Sequence, residues 1–335
     1  MRAMRVERHG KIEAAPLAEV ELPVPDAGPG EVLVRVNVCG VCHTDLHVAE
    51  GDLPGGKLPV TPGHQVAGLI AAVGPGVEGR RTGERVGVPW LYDTCGECRF
   101  CRSGRENLCD RALFTGHSVD GGYAEYLAVP EESAYRLPDG FDDAAVAPLL
   151  CGGVIGLRAL RLSGAGKGDL LGLYGFGASA HIVIQIALYR GSRAFVFTRG
   201  AEHAALARRL GAEWVGRAGD GAPGELDAAI IFAPAGPLVP MALRALKKGG
   251  TLALAGIHMS NIPEMEYALL YGERVVRSVA NSTRADVVEL LDVAPRVPVQ
   301  TDVEAFPLVE ANDVLRRLKA GGIRGAAVLQ VAGAP

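Results

Sequence analysis

The sequence predicts an α/β protein of two domains, an irregular β-rich one and a doubly wound parallel sheet. Three observations predict it. At 335 residues the chain is too long for one ordinary core. Its first 150 residues hold short β-type runs broken by Gly and Pro. Beyond residue 150 strands alternate with helices, the rhythm of βαβ units.

In the first part, "EVLVRVNV" (31–38) and "GGYAEYLAV" (121–129) alternate apolar and polar residues, with "VAGLIAAVG" (66–74) between them. The bounding "PDAGPGE" and "VGPGVEG" are turn sequences. In the second part, "DLLGLYGFG" (169–177) is an apolar strand running into glycines. "ASAHIVIQIALYRG" (178–191) is a helix with Gly191 as its stop. A strand (193–198), a helix "AEHAALARRLGA" and a short "EWVG" follow, then a strand (226–234) and a helix "LVPMALRALKKGG". Strands at 251–257 and 273–280 close a sheet of about six. Helices near 285–292 and 309–320 and a last strand "GAAVLQV" form a tail expected to return to the first domain. The domains are therefore placed at 1–152 with 283–335, and at 153–282.

Composition narrows the function. A hydrophobic share of 48% supports that much core, and a net charge of −4 without a basic run argues against a nucleic-acid partner. No stretch reaches the roughly 18 apolar residues of a membrane span, and the start "MRAMRVERHG" has no signal-like apolar region. A cytoplasmic location is expected. There, seven cysteines read as metal or catalytic residues before disulfides.

Gly175, Gly177 and Ala180 fit G-x-G-x-x-A at a strand-to-helix turn. Gly175 allows the tight turn, Gly177 lets backbone approach a pyrophosphate, and Ala180 permits close packing. The helix start adds amide donors and a positive dipole. At the end of the second strand, where an acid would hold the NAD ribose, the chain has Thr198 and Arg199. A guanidinium without a carboxylate suits a 2′-phosphate, so NADP(H) is favoured over NAD(H).

"CGECRFCRSGRENLC" places Cys95, Cys98, Cys101 and Cys109 on one loop. Four thiolates there can close a tetrahedron around zinc, leaving no open position, as a structural site requires. An iron–sulfur cluster is the chemical alternative. Other candidate ligands are Cys39, Cys42, His64 and Cys151, with His43 and His47 in "CGVCHTDLH".

"GHQVAGLIAAVGPGV" (63–77), "CGVCHTDLH", the four-cysteine lobe, "GGYAEY", "PLLCGGV" and the glycine turn occur in one order. In that order they resemble the zinc-containing medium-chain alcohol dehydrogenases over essentially the whole chain. The resemblance implies a GroES-like β-rich catalytic domain beside a Rossmann domain, and two zinc ions per chain. It implies that Cys42, His64 and Cys151 hold the catalytic zinc, Cys39 being a small buried hydrophobe. Asp45 would orient His64, with Arg324 as a partner of Asp45 near the cofactor. Thr44 and His47 would relay the proton released as an alcohol becomes an aldehyde or ketone. His43 would lie near the cofactor pyrophosphate, and Trp90 and Leu91 would wall the substrate pocket with Thr44. A dimer or tetramer is implied as well. His117, His181, His203 and His258 have no such match and read as structural.

One position departs from the family pattern: Gln65 stands where Glu is usual. It makes the site one charge less negative and leaves the three ligands unchanged. Two other readings fit the sequence less well. A zinc-free quinone or enone reductase of the same superfamily would lack the Cys42, His64 and Cys151 set. A non-enzymatic zinc or redox sensor would have no use for Thr44 and His47.

Overall fold

The computed structural model describes residues 1–331. They divide into two compact units, one of Met1–Cys151, Ser282–Pro295 and the chain from Thr301, the other of Gly152–Asn281 and Arg296–Gln300. The short piece Arg296–Gln300 belongs with the second unit because the Gln185 amide clasps the Gln300 backbone. Gln300 N donates to Gln185 Oε1 at 2.9 Å and Gln185 Nε2 to Gln300 O at 2.8 Å.

The first unit is built on a seven-stranded sheet. Its long central strand, Glu31–Val41, pairs antiparallel with Val66–Val73, Tyr126–Pro130 and Ala326–Gln330. Val32, Val34 and Val36 are fully buried on one face while Arg35 is exposed, as the alternation in "EVLVRVNV" requires. The tail therefore closes the sheet around the strand that leads to Cys42. The run "GGYAEYLAV" is a strand only from Tyr126. Gly121 and Gly122 lie against Gly63 and Val66, where a Cβ would come within 2.1 Å of Gly63 O and 2.2 Å of Val66 Cγ2. That close approach displaces them from ladder geometry.

The second unit is a six-stranded parallel sheet. Across the sheet its strands are Trp214–Gly216, Arg193–Phe197, Leu170–Tyr174, Leu226–Ile231, Leu246–Leu254 and Val275–Ser278. Chain order reverses between Leu170–Tyr174 and Leu226–Ile231, the switch point beside which such sheets bind ligands. One element differs from expectation. The helix in "LVPMALRALKKGG" stops at Ala245, and Leu246–Leu254 forms the next strand. Gly249, at φ +76, cannot continue a helix, and Leu246 is taken into the ladder opposite Leu226.

Candidate metal centres

The helix His43–Glu50 starts immediately after the central strand, with Cys42 as its N-cap. Cys42 Sγ accepts from Thr44 N at 3.3 Å, and Asp45 Oδ2 accepts from Cys42 N at 2.9 Å. This reciprocal cap fixes the thiol and the carboxylate together. Gly51, at φ +80, ends the helix.

His64 comes from the loop before Val66–Val73. Gly122 N donates to Gly63 O and Tyr123 N to Pro62 O, both at 2.9 Å, so "GGY" pins that loop. Gly63 has φ +101, and a Cβ there would lie 2.4 Å from Tyr123 Cδ1 and 2.8 Å from Cys39 Sγ. Only glycine fits. Cys39 is fully buried in the hydrophobic core and belongs to neither ligand set. Cys151 follows the buried turn Ala147–Leu150.

The fold thus brings Cys42, His64 and Cys151 together, with all ligand atoms within 4.8 Å of one another. His64 Nε2 lies 3.3 Å from both Cys42 Sγ and Cys151 Sγ. A tetrahedral zinc at ordinary Zn–S and Zn–N lengths sets such pairs about 3.5 Å apart, so the donors fit the ion. Asp45 Oδ1 accepts from Gly63 N at 3.2 Å and faces His64 Nδ1 at 3.1 Å. That bond occupies Nδ1, so Nε2 is the ring nitrogen that would face a metal.

The electrostatics also fit a cation. Burial pushes the His64 imidazolium down, but the Cys42 thiolate and Asp45 outweigh it and hold the ring up at about 10. The hydrogen bond with Cys151, then burial, holds the Cys42 thiol well above its usual range. Without a metal the set retains protons that a divalent ion would displace. Gln65 is 3% exposed, and its Nε2 is buried with no hydrogen-bond partner among the described residues.

Cys95, Cys98, Cys101 and Cys109 form the second set. Sγ–Sγ distances of 3.5 Å for Cys95–Cys109 and Cys98–Cys101, and 3.8 Å for Cys95–Cys101, match the edge of about 3.8 Å in a zinc–thiolate tetrahedron. Backbone N–H groups face the sulfurs: Cys98 N donates to Cys95 at 3.4 Å and Cys101 N to Cys98 at 3.5 Å. Four donors close this set, whereas three leave one tetrahedral position open.

Thr44 is buried and His47 half-buried, three residues apart on one helix. His47 Nδ1 lies 2.9 Å from Asp52 Oδ2. His43 is exposed at the first position of that helix. Trp90 and Leu91 are buried, and Trp90 meets the His64 ring edge-on, with centroids 4.9 Å apart. Arg324 corrects an expectation: its Nε and Nη2 pair with Asp302 at 3.0 and 3.1 Å, not with Asp45. Asp45 is 1% exposed and its two oxygens are taken by Cys42 N, Gly63 N and the His64 ring, whereas Arg324 is exposed. His117 packs against Trp90 with ring centroids 5.7 Å apart.

In the second unit Gly175 has φ +90, and a Cβ would lie 2.9 Å from Ala233 N. Gly177 is the N-cap of helix Ala178–Tyr189, and a Cβ there meets nothing within 4 Å. Ala180 is fully buried. The helix start has no side-chain cap and faces open space, as a pyrophosphate cradle requires. Thr198 and exposed Arg199 follow the strand Arg193–Phe197, and Arg199 forms no ion pair among the described residues.

Residues 28–139 match the family model for the alcohol dehydrogenase GroES-like domain. Over 337 residues, covering 99% of this chain and 97% of the relative, the sequence is 48% identical to "Probable alcohol dehydrogenase AdhA" of Mycobacterium tuberculosis. The structure is similar to a cinnamyl alcohol dehydrogenase of Sorghum bicolor, at TM-score 0.91 and 28% identity, covering 100% of this chain and 98% of that one. It is similar also to acetophenone reductase of Geotrichum candidum in complex with NAD, at TM-score 0.90 and 26% identity, covering 98% and 97%.

Proposed function

The chain belongs to the alcohol dehydrogenase family, and on that footing we propose that it works with two zinc ions per chain and prefers NADP(H) to NAD(H). The reaction is the reversible transfer of a hydride between an alcohol and NAD(P)⁺, giving an aldehyde or ketone. The single observation that carries the zinc reading is the open three-donor set of Cys42, His64 and Cys151, with Asp45 behind the histidine.

When bound, zinc supplies a positive charge that makes an alcohol hydroxyl more acidic, and the nicotinamide supplies a hydride acceptor. The chain's own groups do the rest. Asp45 holds the His64 ring and its tautomer. Thr44, buried one residue after His43 on the capped helix, takes the hydroxyl proton. His47, half-buried and paired with Asp52, passes it on to solvent. The glycine turn at Gly175 and Gly177 receives the pyrophosphate, and Arg199 pairs with a 2′-phosphate. His43 lies near the pyrophosphate, and Trp90 and Leu91 shape the substrate pocket with Thr44.

Homo-oligomerisation is supported by the sheet edge of the second unit. The strand Val275–Ser278 borders the sheet, and Val275, Tyr267 and Tyr271 are 47%, 74% and 71% exposed. The thiolate sets support a reducing, cytoplasmic setting. Absorbance of NADPH and NADH with a panel of alcohols and aldehydes, with and without chelator, tests the whole reading. Turnover unaffected by complete metal removal would refute the zinc assignment.

A further inference from the structure

One crossover of the parallel sheet departs from the βαβ pattern. Helices Ala178–Tyr189, Ala201–Arg209 and Leu238–Ala245 fill three of its connections. The connection from Trp214–Gly216 to Leu226–Ile231 passes two strands of the sheet, and residues 217–225 make it as loop. Its sequence, "RAGDGAPGE", holds three glycines and Pro223, which disfavour a helix there.

Between that loop and the helix Leu238–Ala245 lies a pocket of about 530 Å³, the size of a small-molecule site. Tyr174 and Phe197, stacked with ring centroids 4.1 Å apart, contribute to its lining. Ala222, Pro223 and Met241 add apolar surface. Tyr174 is 1% exposed, and its hydroxyl makes no hydrogen bond among the described residues; burial alone raises its pKa. A buried hydroxyl without a partner is costly, and an occupant able to accept a hydrogen bond would relieve it.

Two opposite charges line the same pocket, Arg244 from the helix and Glu225 from the loop. Both are exposed, and neither forms an ion pair among the described residues. A simple carboxylate would be drawn to Arg244 and repelled by Glu225, and a simple amine the reverse. A zwitterion satisfies both, and the apolar lining requires that it also carry an apolar body.

The pocket is distinct from the dinucleotide turn. Gly175, Gly177, Thr198 and Arg199 are not among its lining residues. Glu225 and Ala245 stand just before the amino ends of Leu226–Ile231 and Leu246–Leu254, whereas a dinucleotide lies beyond the carboxyl ends of such strands.

We propose that this pocket binds a free α-amino acid with a large apolar side chain. Its carboxylate pairs with Arg244, its ammonium with Glu225, and its side chain packs on the apolar lining.

Isothermal titration calorimetry on the full chain tests it with L-phenylalanine, 3-phenylpropanoate and 2-phenylethylamine. L-phenylalanine should bind at one site per chain, about ten-fold or more tighter than either analogue that lacks one charge. Arg244→Gln and Glu225→Gln should each weaken it by about ten-fold or more. Ala222→Trp, which fills the pocket, should abolish binding. The two charged side chains are exposed, so their variants keep the fold, and a melting curve for each verifies it. Saturating NADP⁺ should leave the affinity unchanged. No saturable binding of L-phenylalanine, equal binding of a one-charge analogue, or binding that survives all three variants would overturn the proposal. Competition by NADP⁺ would assign the pocket to the cofactor and overturn it as well.

Discussion

Asp45 Oδ1 stands 3.1 Å from His64 Nδ1, and both side chains are 1% exposed. The same carboxylate accepts from Cys42 N through its other oxygen, so one residue orients two of the three donors. Asp45→Asn keeps the shape and removes the charge. Zinc affinity should fall about 10- to 100-fold, as when a partner behind a histidine ligand is lost. The helix loses at most about 1 kcal/mol of capping. A competition titration with a chromophoric chelator measures the affinity; an unchanged value would show that Asp45 does not tune the site.

The two ligand sets should respond differently to serine. Cys98 caps the helix Arg99–Arg102 and touches Cys101, so Cys98→Ser should cost stability and yield. Loss of a structural zinc site withdraws binding energy from the fold itself. Cys42→Ser should abolish turnover and leave the melting temperature within a few degrees. Metal analysis of active protein should give two zinc ions per chain; one or none in well-folded, active protein would contradict the assignment.

Arg199 is where the proposed cofactor preference can be tested. Exposed at the end of Arg193–Phe197 and without an ion pair among the described residues, its guanidinium is available to a phosphate. Arg199→Asp should weaken NADP(H) selectively, by about 1.5–3 kcal/mol for one charge-assisted contact. Higher kcat/KM with NAD(H) in the unaltered enzyme would refute the preference.

Glu50 ties the helix that carries Thr44 and His47 to the tail. Its side chain is 5% exposed, and Oε1 accepts from Ile12 N at 2.9 Å and from Lys319 Nζ at 2.7 Å. Burial alone would raise its pKa, but Lys319, the Ile12 N–H and Lys11 hold it down at about 2, against an ordinary 4.5. A depressed folded pKa adds stability that is fully present above pH 4.5 and is lost as pH falls through 2. The gross linkage is about 3 kcal/mol, and solvent screening of the partly exposed lysines reduces it to about 1–2 kcal/mol. Glu50→Gln should therefore melt several degrees lower at pH 7, and the gap should close on acidification. A gap constant with pH would show a packing effect instead.

How much of this was legible in the sequence depends on where the partners lie. The four-cysteine set sits on one loop, so spacing alone revealed it. Cys42, His64 and Cys151 are far apart in the chain, and only the family resemblance joined them before the fold did. The parallel sheet showed as apolar runs because both its faces are covered. The stop of the helix at Ala245 did not show, since Leu246 and the lysines after it are good helix formers and sheet pairing overrode their propensity. Arg324 is a similar case. Its ion pair with Asp302 depends on two tail segments meeting across the sheet, where Val303–Pro307 pairs with Ala326–Gln330. His117 carried no signal, because its contacts exist only once the turn after Phe114 folds back on Trp90.

Substrate size is the last expectation. Trp90 meets the His64 ring at an interplanar angle of 76° and stacks on Phe114, and a large indole there takes volume that a smaller side chain would leave to the alcohol. The inner pocket should be narrow, favouring short unbranched primary alcohols over bulky secondary ones. Trp90→Ala should raise kcat/KM for bulky alcohols relative to ethanol, because specificity of this kind is differential fit in the transition state. It should also cost about 3–5 kcal/mol of stability, since the side chain is well buried and a cavity remains. The two effects separate cleanly. If Trp90 acts only as core, every substrate should lose rate by the same factor while the melting temperature falls. Steady-state kinetics on three alcohols of graded bulk, with a melting curve for each variant, decide between them: a selectivity ratio that does not move removes Trp90 from the pocket wall.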